Sequence, residues 1–189
     1  MANIDAPFGF SPEGKIGGGT SPASTDYPAL AGYATLMSQG DCVIINESTG
    51  GVQLGAAADL NTAATAAIGV FWGSNYDDSD GKPTFKNTRP ASQAATCFVY
   101  DDPYQVFEIQ GDDSTGSQVA AVTDLSKTAD MIVAAGSATT GVSNTELDVS
   151  TIGSTANLHI VGFSTTPGRN DNTAGNCVYK VLINEHKFK

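Results

Sequence analysis

The sequence predicts an all-β (mainly β) protein: a compact β-barrel or sandwich domain over residues 33–189, an extended N-terminal arm over residues 1–32, and at most one or two short helices. Three observations carry this reading. From Tyr33 onward, short runs of β-branched and aromatic residues recur at spacings of about ten, bounded by Gly, Asn, Asp and Ser. Several runs, such as Val43-Ile44-Ile45 and Val181-Leu182-Ile183, are continuous rather than alternating, which marks strands covered on both faces. Before Tyr33 the pattern changes to Pro- and Gly-rich chain with no apolar period. A length of 189 residues suffices for one domain with a real core, or one domain plus an arm, and is short for two.

The elements follow in order. Within residues 1–32, Pro7, Pro12, Pro22 and Pro28 together with six glycines favour neither helix nor strand pairing over any length. Yet Phe8, Phe10, Ile16, Tyr27 and Leu30 recur there, and a solvated linker has little reason to carry them. The segment therefore reads as an arm lying on a surface, of its own domain or of a neighbouring subunit, with those five residues as interface anchors. Removal of residues 1–20 is expected to leave a folded domain. Strands are expected at 33–38, 41–47, 52–55, 67–73, 84–86, 96–100, 105–110, 131–134, 158–163 and 177–183. A hairpin around Ser48-Thr49-Gly50-Gly51 joins the second and third, since paired glycines supply the positive φ of tight turns. The Ala- and Thr-rich stretch 56–67 suits a short helix, and Val119, Val122 and Leu125 suggest a helical face over 117–129. Ser143-x-x-Glu146 matches a capping box in form, but its flanks read as a turn.

Charge and cysteine content narrow the function. Twenty acidic residues against nine basic ones give a formal charge of -11, so a polyphosphate partner is repelled and no nucleic acid is expected. No run of 18 apolar residues occurs, so no membrane partner is expected, and the opening residues lack the layout of a secretory signal. Cys42, Cys97 and Cys177 are odd in number and lack a C-x-x-C spacing; each sits in an apolar run, as a buried, reduced thiol would.

Catalytic patterns fail on context. Gly14-Lys15-Ile16-Gly17-Gly18-Gly19-Thr20 resembles a phosphate-cradling loop but lacks the preceding strand, the following helix and the Lys-Ser/Thr pair. Gly162-Phe163-Ser164-Thr165-Thr166 has Thr where a nucleophile elbow needs Gly. Two histidines, His159 in a strand and His186 in a charged tail, give little material for a metal or acid-base site. The acidic stretches 75–81 and 111–116 carry oxygen ligands. A calcium loop with Gly81 at its sixth position, however, begins at Tyr76 and ends at Asn87, so both read as hairpin ends. The polar stretch 167–176 reads as a surface connection. Trp72, set between Phe71 and Gly73, is expected to pack on a strand. No enzymatic activity, catalytic residue, cofactor or metal is expected.

Several motifs together carry a resemblance that spans nearly the whole chain. They are the opening Met1-Ala2-Asn3-Ile4-Asp5-Ala6-Pro7-Phe8-Gly9-Phe10-Ser11-Pro12 with its glycine cluster, Ile68-Gly69-Val70-Phe71-Trp72-Gly73 with Tyr76, Asp102-Pro103 before Phe107-Glu108-Ile109-Gln110, and Val181-Leu182-Ile183-Asn184-Glu185-His186. The chain resembles small head-decoration (cement) proteins of tailed bacteriophages, especially those of marine and cyanobacterial hosts. The resemblance implies a β-rich, non-catalytic virion protein on the outer capsid surface, assembled in the host cytoplasm, that staples neighbouring major capsid protein subunits as a homo-oligomer, dimer or trimer. The alternative is a non-catalytic glycan- or receptor-binding β module of a phage tail or cell surface, built on Trp72, Tyr76 and the acidic loops.

Overall fold

The computed structural model describes residues 3–19, 22–55, 66–112, 120–153, 155–165 and 170–189. In chain order the strands are β1 (Ser11–Lys15), β2 (Thr25–Ala29), β3 (Met37–Ser38), β4 (Cys42–Ile45), β5 (Val52–Leu54), β6 (Ala67–Asp77), β7 (Pro83–Lys86) and β8 (Thr88–Arg89). They continue with β9 (Ala95–Tyr100), β10 (Gln105–Gln110), β11 (Thr128–Ala129), β12 (Met131–Ile132), β13 (Glu146–Leu147), β14 (Leu158–Phe163) and β15 (Val178–Ile183). Helical structure among the described residues is confined to two 3-10 turns, Val122–Asp124 and Val149–Thr151.

The chain is mainly β, as its sequence predicts, and of the two expected architectures it adopts the sandwich: antiparallel sheets without a closed barrel. One sheet runs β1-β10-β15-β14-β11; the other runs β2-β9-β6-β4-β5, with β7 added along the far half of β6. Two short ladders, β3-β8 and β12-β13, are also present. The main core lies between the sheets, where Cys42, Ile44, Ala67, Val70 and Tyr100 of one meet Phe107, Ile109, Leu158, Ile160, Tyr179 and Val181 of the other. Burial of each Ile, Val, Leu or Phe among them contributes roughly 1.5–3 kcal/mol relative to exposure. A second cluster, with Val43, Val52, Ile68, Phe71, Cys97 and Val99, covers the opposite face of the second sheet. The continuous run in β4 is thereby explained: Cys42 and Ile44 serve one core, Val43 and Ile45 the other.

Gly69 is fixed by the close approach of the backbone at the end of β9. Its φ is +147°, and a Cβ there would sit 2.0 Å from the Tyr100 carbonyl oxygen, so no other residue fits between β4 and β9. The register shifts beside it, with Gly69 opposite Val43 and Ala67 opposite Ile44.

Four expectations are corrected. The N-terminal 1–32 segment is not an unpaired arm: β1 pairs with β10 and β2 with β9, each forming the outer edge of one sheet. Pro12 and Pro28 lie within these strands, where an edge position tolerates the missing N–H; the composition that reads as an arm is the chemistry of edge strands. The expected strand at 33–38 shortens to Met37–Ser38, because carbonyls of this stretch are claimed by an arginine described below. The helical face over 117–129 does not form where it is described: Val122 is 79% exposed and Leu125 40%, around a single 3-10 turn. The fourth concerns β6, which runs to Asp77 and not to 73, because β7 supplies its later pairings. The expected helix over 56–67 lies almost wholly outside the described residues. The hairpin at 48–51 joins β4 to β5, with Asn46 O accepting from the N–H groups of Thr49 and Gly50.

Candidate interaction surface

The five candidate interface residues divide between the interior and the surface. Phe10 is 2% exposed, belongs to the core between the sheets and meets Phe107 edge-on at 5.9 Å and 81°. Its backbone N–H donates to Gly40 O, seating it beside β4. Phe8 is half-buried. Tyr27 packs against the second cluster, and its hydroxyl donates to Asp101 Oδ2 at 2.8 Å; burial and that carboxylate raise its pKa well above the ordinary phenol value. Ile16 and Leu30 face outward, 51% and 41% exposed. The structure therefore does not gather the five on one face. Phe10 and Tyr27 hold the segment to its own domain, and Ile16 and Leu30 remain available to another surface.

Ile16 has a neighbour that sequence reasoning missed. Its N–H donates to Tyr104 O, and Tyr104 is 56% exposed, so an apolar and an aromatic side chain emerge together at one end of the first sheet. Lys15 anchors this end through Asp102 at 2.6 Å, and the ammonium hydrogen bond holds the Asp102 carboxyl below its usual range. Leu30 borders a shallow depression shared with Tyr33, Thr49, Gly51, Val52 and Gln53, where edge strands β2 and β5 approach one another. Ile4, 79% exposed, lies by the Gln110 end of β10, the opposite end from Ile16. Its neighbours are stitched down: Gln110, 4% exposed, donates to Ile4 O and accepts from the Ala6 N–H, and the Asn3 side chain exchanges three hydrogen bonds with Asp171 and Gly175. No sequence pattern marks Gln110 or Asn3 for this, because each partner is a distant backbone group.

Arg89 likewise gives no signal in the sequence. It is fully buried in β8, lies 5.5 Å from the centre of the Tyr33 ring and donates to the carbonyls of Leu30, Tyr33, Thr35 and Gln93. Four carbonyl dipoles take the place that a carboxylate usually fills beside a buried guanidinium. The chain between β2 and β3 is thus gathered around one side chain, which fixes where Leu30 emerges.

The remaining candidates resolve structurally. Asp78 Oδ1 accepts from the N–H groups of Asp80 and Lys82, so the 75–81 stretch is the end of the β6-β7 hairpin. Of 111–116 only Gly111 and Asp112 are described, and Asp112 caps the Val149 N–H. Of 167–176, the part from Asn170 is described, and Asn170 links Ser164 to Val178. His186 is no part of a solvated tail: it is 6% exposed, bridges to Ala67 and accepts the Phe188 N–H on Nδ1, and burial lowers its pKa. Lys187 pairs with Glu47, which folds the tail back onto the domain. Burial pushes the thiols of Cys42 and Cys97 up to about 12 and that of Cys177 up to about 11, far from the range of a reactive thiolate. Among the described residues no group of three or more His, Cys, Asp or Glu is arranged to hold a metal ion, and no helix is long and apolar enough to cross a membrane.

Comparison with known proteins returns no family-model, curated-protein or solved-structure match for this chain.

Proposed function

We propose that this is a non-catalytic structural protein that docks on the outer surface of a tailed-phage capsid and cements neighbouring major capsid protein subunits, acting as a homo-oligomer. The observation that carries the docking part is the N-terminal strip: it contributes an edge strand to each sheet and still leaves Ile4, Ile16 and Leu30 exposed. A chain that buries Phe10 yet presents three large aliphatic side chains from the same segment has apolar area to give to a partner. The resemblance of the sequence to head-decoration proteins supplies the identity of that partner. A charge of -11 supports the outer surface over the DNA-facing interior. The prolines of β1 and β2 disfavour strand addition at these edges, so contact is made by side chains.

Co-sedimentation with empty heads lacking this chain tests the reading. The Ile16→Asp and Leu30→Asp variants are exposed changes that keep the fold, and each should weaken head binding by about ten-fold or more, as an aspartate driven into an apolar contact does. Wild-type binding by both variants, or no sedimentation of the wild-type chain, overturns the proposal.

A further inference from the structure

Where the second sheet extends beyond the first, its face is open. The ladder register places Pro28, Thr96, Asn75 and Phe85 in one row across β2, β9, β6 and β7, and all four are exposed. The next row carries Phe98 opposite Gly73. The Phe85 ring lies down on the sheet at Gly73, where a Cβ would come within 2.8 Å of Phe85 Cζ; any other residue would lift the ring. Trp72, the extra residue of the bulge between Phe71 and Gly73, completes the platform at 5.3 Å and 37° from Phe85, and Phe98 stands 6.0 Å from Phe85 on the other side. Tyr100, on the same side of β9, is buried between the sheets at 6.4 Å from Trp72. The aromatic row thus begins in the core and ends in solvent, with Phe85 49% exposed.

We propose that this face is a binding platform for a neutral oligosaccharide. The exposed Phe85 ring, flanked by half-buried Trp72 and Phe98, presents negative π density to the polarised C–H groups of a pyranose, and the neighbouring Asn75 amide and Thr96 hydroxyl offer both donors and acceptors to ring hydroxyls. The platform is set on hydrogen-bonded strands, so its rings are positioned before a ligand arrives. Charge selects the class of partner. The two rows carry one charged residue, Asp26 at the outer edge opposite Phe98, on a chain of charge -11, so anionic polysaccharides and lipid surfaces are repelled and a neutral chain is not. The inference stands apart from capsid docking, since it uses neither Ile16 nor Leu30.

The chain contains one Trp, so its emission reports on this platform alone. The full chain is titrated separately with maltohexaose, cellohexaose and N-acetylchitohexaose, and with polygalacturonate as the anionic control. At least one neutral hexamer should shift the emission saturably with a Kd of about 1 mM or tighter. The exposed-site variants Phe85→Ala and Asn75→Ala, checked for an unchanged melting transition, should weaken it by about ten-fold. No saturable shift with any hexamer, wild-type affinity in both variants, or equally tight binding of polygalacturonate overturns the proposal.

Discussion

At the scale of single residues, the most consequential side chain is one that composition makes look ordinary. Arg89 follows Asn87-Thr88 and precedes Pro90, a context that reads as polar loop. Its significance lies in four backbone carbonyls contributed by residues up to 59 positions away, which sequence cannot display. Arg89→Met removes the donors and leaves these carbonyls facing apolar surroundings, at about 1–3 kcal/mol for each group that stays unsatisfied. A loss of about 3 kcal/mol or more in urea unfolding is expected, and Arg89→Lys should recover little, because an ammonium lacks the planar fork that reaches carbonyls on several sides. A loss below about 1 kcal/mol would show that water substitutes for the guanidinium.

Glu146 belongs to the same scale. It sits in β13, where burial, then Asp5 and then Asp112 raise its carboxyl to about 7 from 4.5. The folded state therefore binds a proton that the unfolded state releases between about 4.5 and 7. Its contribution to stability is complete below the unfolded value and is lost as pH rises through the folded one. Glu146→Gln should make the chain relatively more stable at pH 8 than at pH 5 when each is compared with wild type in paired urea titrations. The same difference at both pH values would place Glu146 in ordinary solvent.

At the scale of elements, legibility follows the density of apolar residues. Strands β10 and β14 match the expected 105–110 and 158–163 to the residue, because each supplies several side chains to one core. The strands without a signal in the sequence are short or lie at edges, such as β8, β11, β13 and the pair β1 and β2. In β1 the sequence Ser-Pro-Glu-Gly-Lys has no apolar residue of any size; its place comes from pairing with β10 and from Phe10 just before it. Of the candidate surface, the exposed residues Ile16 and Leu30 are legible as unexpected apolar groups in a polar segment. Tyr104, Gln110 and Arg89 are not, since their partners are remote in sequence.

This placement reverses one expectation. A chain lacking residues 1–20 loses β1, bares the edge of β10 and leaves a void where Phe10 meets Phe107. Phe10→Ala alone should cost about 3–5 kcal/mol. The truncation should yield aggregated or molten material by near-ultraviolet circular dichroism. A cooperatively folding truncated chain would show instead that the strip is a detachable arm.

At the scale of the whole molecule, the two cores leave charge as the main force still unbalanced. Twenty acidic side chains face nine basic ones. Lys15, Lys82, Lys127, Lys180 and Lys187 are each engaged with a carboxylate, and Arg89 is buried on carbonyls. Other carboxylates, such as Asp78, Asp101, Asp112 and Asp148, accept hydrogen bonds from backbone or hydroxyl groups, which add no positive charge, and the folded state holds the acidic excess closer together than the unfolded chain does. Salt opposes both the repulsion and the exposed pairs, but with opposite effects on stability. Each exposed pair is worth about 0–1 kcal/mol and loses only part of that, whereas repulsion is summed over the entire excess. Raising sodium chloride from about 10 mM to about 150 mM shortens the screening length from about 30 Å to about 8 Å, which cuts off repulsion across the domain while leaving contacts at about 3–4 Å largely intact. A gain of about 1 kcal/mol follows, read as a rise in Tm of about 2–4 °C for a domain of this size. A fall in Tm over the same range would mean that the ion pairs, and not the acidic excess, govern the electrostatics of this fold.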